Sequence, residues 1–201
     1  MTRSLKQRAD THLLRVALSD PPEVISAEWA HMHSLDSEDL TARLQRHVRH
    51  LAGEIGERNS TRYASLEQAR LYIEQGFSQA GYELQHDAYE VASRKYQNVI
   101  VELPGSDEGV VVIGAHYDTA PGTPGADDNA SGVAVLLELA RSPRDAPGVR
   151  SIAFTLEEPS SYWTPLVGSR VHARKCRKRG EPVLCMISLE MTGYYRDLPG
   201  S

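Results

Sequence analysis

Histidine and acidic side chains follow three apolar segments of this chain, at the places where those segments end, and one more acid lies between the first two. Imidazole nitrogen and carboxylate oxygen together are the ligands of hydrolytic zinc sites, whereas structural zinc sites are rich in thiolate. Open α/β sheets bind ligands beyond the carboxyl ends of their strands, so these side chains are expected to meet on one rim. The residues are His116, Asp118, Asp128, Glu157, Glu158 and Glu190.

The spacing of these residues indicates how they would divide the work. Residues i and i+2 of an extended chain lie on the same side, so Asp118 can fix the tautomer of His116. Asp128 follows a glycine-rich turn at the start of a helix, where it can bridge two cations with both oxygens or simply cap the helix. Of the adjacent Glu157 and Glu158, one can bind metal while the other carries a proton from water to the leaving amine.

The elements that must position these residues follow from hydrophobic periodicity. Apolar strands alternate with helices from Val110 onward, which predicts parallel strands covered by helices on both faces. Two helices and a strand-rich segment with a hairpin precede them, and the hairpin makes the sheet mixed. The predicted helices are residues 40–55, 66–81, 130–140 and 166–179, and the predicted strands are residues 82–91, 98–103, 110–115, 151–156 and 183–189.

The predicted fold is therefore a three-layer αβα sandwich with a mixed, mostly parallel central sheet. Residues 1–38 carry mixed charge without sustained periodicity and are expected to form a loosely ordered arm, which leaves residues 39–201 for the domain. That domain is large enough to bury a core, since the chain has 201 residues, of which 40% are hydrophobic and 24% charged.

Composition excludes several classes of protein. Two cysteines cannot form a disulfide framework or a cysteine-rich metal site. A net charge of −5 argues against nucleic acid as a partner, and the basic run at 174–179 is explained by the end of a helix. Neither a signal peptide nor an apolar stretch long enough to span a bilayer is visible, so we expect a cytoplasmic protein without membrane attachment.

Four motifs together resemble one enzyme family. The chain is similar to the zinc-dependent exopeptidases of family M28, which include bacterial leucyl-type aminopeptidases, glutamate carboxypeptidases, glutaminyl cyclases and the catalytically silent transferrin receptor. The resemblance begins near residue 39. Its strongest stretches are Gly-Ala-His-Tyr-Asp-Thr at 114–119, Pro-Gly-Ala-Asp-Asp-Asn-Ala-Ser-Gly-Val-Ala at 124–134, Phe-Thr-Leu-Glu-Glu at 154–158 with Gly-Ser at 168–169, and Leu-Glu-Met-Thr-Gly-Tyr-Tyr at 189–195.

The resemblance implies a role for each candidate residue in a site for two zinc ions that hydrolyses the N-terminal bond of a peptide substrate. His116 and Glu190 are expected to bind the first zinc, Asp128 to bridge the two ions, and Glu158 to bind the second. Glu157 is expected to be the general acid and base.

The chain also departs from this family in two places. The family most often has aspartate where Glu190 stands, and it takes a last ligand, a histidine on the second zinc, from a segment that would lie beyond Ser201. The resemblance therefore implies a carboxyl-terminally truncated domain that holds about one tight zinc. None of the other histidines is expected to replace this ligand; His172 in particular is expected to be solvated among the cations of its helix.

Two alternatives to a working aminopeptidase stay open at this stage. One is a catalytically impaired homologue or a partner-binding remnant, and the other is a glutaminyl cyclase-like acyltransferase. In each case the last apolar strand, at 183–189, is expected to present an open edge through which copies of the chain can associate.

Overall fold

The computed structural model describes residues 37–103, 109–142, 148–159 and 161–194, with side chains from residue 40 onward. Contacts within the chain divide it into two units, Met1–Asp39 and Leu40–Ser201. The fold that follows is that of the second unit. The predicted arm at 1–38 lies outside the described residues, apart from Ser37 and Glu38, which begin a helix.

A five-stranded mixed sheet forms the centre of this unit. Its strands are β1 (Gln85–Val91), β2 (Arg94–Leu103), β3 (Val110–His116), β4 (Val149–Phe154) and β5 (Val183–Ser188). They lie in the order β1-β2-β4-β3-β5. Strand β2 pairs antiparallel with β1 and β4, whereas β3 pairs parallel with β4 and β5. The hairpin and the parallel half expected from the sequence are both confirmed.

Helices precede the sheet and connect its parallel strands. They are α1 (Ser37–Val48), which continues as a π-helical turn over Arg49–Ile55, α2 (Tyr63–Gln79), α3 (Gly132–Arg141), which follows the short turn Ala126–Ser131, and α4 (Gly168–Arg179). No helix in the described ranges combines the length and apolar character that crossing a bilayer requires.

The alternation of side chains along β2 shows that both faces of the sheet are covered. Val99 and Val101 pack with buried residues of α2 and α3 in the larger core. Ile100, between them in sequence, belongs to a second core on the opposite face with Val112 and Phe154. Helix α4 covers this second face, where the His172 ring lies 6.3 Å from that of Phe154. The molecule thus has the three layers predicted from the sequence.

The expectation that His172 is solvated is wrong. Its side chain is buried, and its Nδ1 donates to a carboxylate oxygen of Asp87 at 2.6 Å. Helix α4 turns its cations outward but packs Val171, His172 and Cys176 onto the sheet. Residues four apart lie on one helix face. His172 therefore shares the buried face of Gly168 and Cys176 rather than the exposed face of the neighbouring arginines.

Strand β5 lies at one edge of the sheet and is exposed along its whole length. Among the described strands it pairs with β3 alone. Leu184, Met186 and Ile187 are 57%, 49% and 48% exposed, an unusual state for large apolar side chains in a strand. The apolar edge expected from the sequence is therefore present.

Candidate metal centre

Three of the predicted ligands converge at the carboxyl ends of β3 and β5. His116 is the last residue of β3, and its Nε2 lies 3.0 Å from Asp128 Oδ1 and 3.4 Å from Glu190 Oε2. Within the described residues this is the one set of three or more such side chains whose ligand atoms all lie within 4.8 Å of one another. The imidazole is 7% exposed, whereas both carboxylates are 49% exposed, so the set opens to solvent on its acidic side.

The backbone fixes the orientation of the His116 ring. Its Nδ1 donates to the carbonyl oxygen of Asp118 at 3.1 Å, which leaves Nε2 as the ring nitrogen that faces the acids. The Asp118 carboxylate is farther from Nδ1, at 3.5 Å. Its two oxygens instead accept hydrogen bonds of 3.1 Å from the backbone N–H groups of Glu157 and Glu158. Asp118 therefore orients the histidine through its carbonyl and fixes the turn after β4 through its carboxylate.

The electrostatics of His116 reflect its acidic surroundings. Burial alone would lower the pKa of the imidazole, but hydrogen bonds with Asp118 and Glu190, together with their charges, raise it to about 11. The carboxylates thus favour positive charge at Nε2. A divalent cation at the same position would supply that charge in place of the proton.

The turn that carries Asp128 is tied to the end of β5. Asn129, joined to Asp128 by a cis peptide bond, donates from its side chain to the carbonyl of Leu189 at 2.8 Å. A Cβ on Gly132 would lie 2.4 Å from that same carbonyl oxygen, so only glycine allows this approach. Since Leu189 directly precedes Glu190, these contacts set the distance between the two carboxylates.

The adjacent Asp127 has a different role from Asp128. Its Oδ1 accepts from the backbone N–H of Gly193 at 2.9 Å and from the hydroxyl of Ser131 at 3.1 Å. Asp127 therefore joins the Asp128 turn to the segment after Glu190. The two neighbouring aspartates divide into one that holds the chain and one that faces His116.

The carboxylate of Glu157 is held by the start of α4. Its two oxygens accept from the backbone N–H and the hydroxyl of Ser169, at 2.6 and 3.0 Å. Burial raises the pKa of Glu157, while the two bonds from Ser169 oppose that rise. The group is thus a partly desolvated carboxylate in a fixed position, as a residue that exchanges protons requires.

Glu158 lies deeper, with 7% of the residue exposed. Burial raises its pKa to about 7; the nearby positive charge of His116 opposes that rise, and the charges of Asp128 and Glu190 add to it. The charges of His116, Asp128 and Glu190 therefore act on Glu158, although its carboxylate is not one of the three converging ligand groups. A cation beside Glu158 would favour the charged carboxylate and so oppose this rise in pKa.

Two backbone conformations mark the positions where strands end at this rim. Leu156, directly before Glu157, has a φ of +58°, and Met191, directly after Glu190, has a φ of +45°. Residues other than glycine rarely adopt this left-handed region, and such positions concentrate at functional sites. Both turns lie next to acidic side chains that the sequence singles out.

Sequence reasoning missed two buried polar residues that support the site. Asn98, in β2, accepts from the backbone N–H of Thr155 at 3.2 Å and donates to the carbonyl of Gly168 at 2.9 Å, which holds the end of β4 beside the start of α4. An asparagine inside an apolar strand was a visible signal for such a role. Arg58 lies in the segment before α2, and no periodic pattern distinguishes it there.

The set of three fits zinc. Zinc bonds of 2.0–2.1 Å in a tetrahedral arrangement place neighbouring ligand atoms ~3.3 Å apart. The two separations measured from His116 Nε2, 3.0 and 3.4 Å, bracket this value. Imidazole nitrogen and carboxylate oxygen are both zinc ligands, and three protein ligands are the usual number at a catalytic zinc site.

Comparison with known proteins yields relatives that are longer than this chain. Over 170 residues the chain is 37% identical to "Uncharacterized protein YfbL" of Escherichia coli, a match covering 79% of this chain and 52% of that protein. It is 28% identical over 171 residues to "Leucine aminopeptidase 1" of Arthroderma gypseum, covering 80% of this chain and 45% of that enzyme. The chain thus spans about half the length of these curated relatives.

A solved structure agrees with these relatives. The glutaminyl cyclase of Porphyromonas gingivalis superposes with a TM-score of 0.62 at 26% identity, over 77% of this chain and 58% of that one. Residues 98–199, which contain every candidate ligand, match the family model described as Peptidase family M28. The matched half of the sequence and the observed fold lead to one conclusion: the chain belongs to peptidase family M28.

Proposed function

We propose that this chain is the metal-binding part of a zinc-dependent aminopeptidase, which hydrolyses the N-terminal bond of a peptide. The observation that carries the proposal is the convergence of His116 Nε2 with Asp128 and Glu190, beside the paired Glu157 and Glu158. The similarity to a leucine aminopeptidase over four fifths of the chain supports this reaction class.

The residues present would divide the chemistry as follows. His116, Asp128 and Glu190 would hold the first zinc, and Asp128 with Glu158 would offer oxygen ligands for a second. Bound zinc supplies a Lewis acid that lowers the pKa of water to ~7 and polarises a carbonyl. Glu157, whose carboxylate Ser169 holds in place, takes the proton from water and returns it to the leaving amine.

Ligand counting predicts unequal affinities at the two zinc positions. The first has three protein ligands, the usual number for catalytic zinc, whereas the second has two carboxylates among the described residues. We expect about one tightly held zinc per chain, with the second filled only when zinc is in excess. Low turnover without added zinc would follow directly, because both ions take part.

The substitution Glu157→Gln tests the assignment of roles. We expect zinc content equal to that of the unchanged chain and at least a hundredfold lower hydrolysis of an aminoacyl anilide in excess zinc, because the amide cannot accept the proton. Zinc is counted by equilibrium dialysis with metal analysis. Glu90→Gln, at an exposed position of β1, is the matched control and should change neither quantity.

Different failures of this experiment have different meanings. Loss of zinc in Glu157→Gln would reverse the roles of Glu157 and Glu158. One bound zinc without any hydrolysis in the unchanged chain would favour a catalytically impaired homologue or a partner-binding remnant. Absence of zinc binding would contradict the proposed function altogether.

A second reaction deserves the same assay because of one specific observation. The solved structure reported above with a TM-score of 0.62 is a glutaminyl cyclase. That reaction would use the same zinc and a carboxylate to move a proton, but it closes an N-terminal glutamine on itself and releases ammonia. A peptide with N-terminal glutamine, offered beside the aminoacyl anilide, separates the two: cyclisation without anilide hydrolysis would replace the aminopeptidase proposal.

A further inference from the structure

Arg58 is a charged side chain that is entirely removed from solvent. It lies between the π-helical turn and α2, with 0% of the residue exposed. Buried arginines ordinarily pair with a carboxylate, but the hydrogen bonds found for this guanidinium among the described residues include none to a carboxylate. Its hydrogen bonds must therefore go elsewhere.

All of these bonds go to backbone carbonyls of two separate parts of the chain. The acceptors are the carbonyl oxygens of Leu51, Gly56, Tyr117, Pro124 and Gly125, at distances between 2.6 and 3.2 Å. Arg58 and Thr119 add a reciprocal pair: the Arg58 N–H donates to Thr119 Oγ1 at 3.1 Å, and the Thr119 N–H donates to the Arg58 carbonyl at 2.9 Å. The guanidinium thus closes the loop 117–125 at both of its ends.

The positions of these carbonyls connect Arg58 to the metal centre. Tyr117 lies between His116 and Asp118, whose carbonyl orients the imidazole. Gly125 is the left-handed residue from which the Asp128 turn begins. One planar group with its donors in a rigid fork therefore spans the backbone behind two of the three ligands.

The positive charge of Arg58 also acts on two acids of the metal centre. Burial lowers the pKa of its guanidinium to about 10, while the charges of Asp118 and Asp128 oppose that shift. The group therefore remains protonated at neutral pH, and its positive charge offsets part of the negative charge of these two acids.

We propose that Arg58 is a positioning residue for the metal centre: it sets the separation between His116 and Asp128 by binding both ends of the loop that joins them. The proposal rests on the proposed function, because it concerns the same zinc. It predicts that loss of the guanidinium lowers zinc affinity even in protein that remains folded.

The substitution Arg58→Lys tests this prediction, because lysine keeps the charge but offers three donors from one atom. We expect zinc affinity, measured by competition with a chelator, to fall at least tenfold in protein that remains folded by circular dichroism. Amide hydrogen exchange should quicken in residues 117–128. The matched control is Arg70→Lys in α2, a side chain 13% exposed that pairs with Glu67 and Glu74 rather than with backbone carbonyls; its zinc affinity should stay within twofold.

A milder variant keeps the test decisive if Arg58→Lys does not fold. Thr119→Val preserves shape but removes the acceptor of the Arg58 N–H, and we expect about a threefold loss of zinc affinity with faster exchange in 117–128. Unchanged affinity and exchange in the folded variants would overturn the proposal, as would an equal loss in Arg70→Lys. If the unchanged chain binds no zinc, the proposed function fails, and the exchange of 117–128 alone decides whether Arg58 holds the loop.

Discussion

His172 and Asp87 form a buried pair between α4 and β1, the edge strand farthest from β5. The imidazole donates through Nδ1 to Asp87, and Lys175 lies 2.9 Å from the other carboxylate oxygen. Arg150 lies 3.3 Å from the remaining ring nitrogen and pairs with Glu181. This network holds α4 on β1 and β4, and it makes the fold sensitive to acid.

The direction of the pKa shift of Asp87 determines whether acid stabilises or destabilises the folded protein. Burial would raise the pKa of Asp87, but hydrogen bonds from His172 and Lys175 outweigh it and lower the pKa to about 2. A carboxyl whose pKa is depressed in the folded state stabilises the protein above its unfolded pKa of ~3.9 and loses that contribution as pH falls towards the folded value. The fall of the pKa from ~3.9 to about 2 corresponds to about 3 kcal/mol in total, of which about 2 kcal/mol is lost by pH 2, where the folded carboxyl is half protonated.

We therefore expect Asp87→Asn to flatten the acid limb of the stability curve. The unchanged chain should lose about 2 kcal/mol more free energy of unfolding than Asp87→Asn between pH 5 and pH 2. Urea denaturation at a series of pH values measures the difference, with Glu90→Gln as control. Parallel curves for the unchanged chain and Asp87→Asn would contradict the assignment.

At the scale of elements, a single close approach links α3 to the end of β5. Gly132 has ordinary helical dihedrals, so alanine would suit its backbone and would favour the helix by ~1 kcal/mol. The added Cβ, however, would lie 2.3 Å from Asn129 Oδ1 and 2.4 Å from the Leu189 carbonyl. Helix propensity therefore predicts that alanine at Gly132 stabilises α3, whereas steric contact predicts that it disrupts the link to the end of β5.

We expect steric contact to dominate in Gly132→Ala. The Asp128 turn and the end of β5 must separate, and zinc affinity should fall tenfold or more while helix content stays the same. Gly53→Ala, in the π-helical turn where a Cβ meets nothing within 4 Å, is the control and should bind zinc normally. A Gly132→Ala variant with unchanged zinc affinity would show that the separation of Asp128 and Glu190 is not set here.

Much of this element-level organisation could be read from the sequence. The alternation after Val110 predicted β3, β4, β5 and the helices between them to within a few residues, because apolar strands and amphipathic helices differ in period. Arg58 and Asn98 could not be found in that way, since their partners are backbone groups distant in sequence. His172 was misread because neighbouring arginines indicated a solvated surface.

At the scale of the whole molecule, the two edges of the sheet differ in character. The β1 edge carries Gln85, His86 and Glu90, polar residues of the kind that discourage strand pairing. The β5 edge carries Val183, Leu184 and Ile187, each more than 40% exposed. An apolar edge of this kind is a template for another strand.

We expect this chain to self-associate through β5 in a concentration-dependent manner. Leu184→Lys combined with Ile187→Lys should shift the population towards monomer, because charge on an edge strand opposes pairing. Light scattering over a concentration series measures the effect. Gln85→Lys combined with Glu90→Lys on β1 is the control and should leave association unchanged; a monodisperse unchanged chain would contradict the expectation.

The distance between Arg150 and the metal centre has a practical consequence for protein engineering. Arg150 lies in β4 four residues before Phe154, the register partner of His116, so ~13 Å of strand separates Arg150 from the level of His116. Libraries randomised around Arg150 and Glu181 can therefore be selected for heat resistance while retained zinc serves as an independent screen. Stabilised scaffolds obtained in this way would accept redesigned chemistry at the opposite rim.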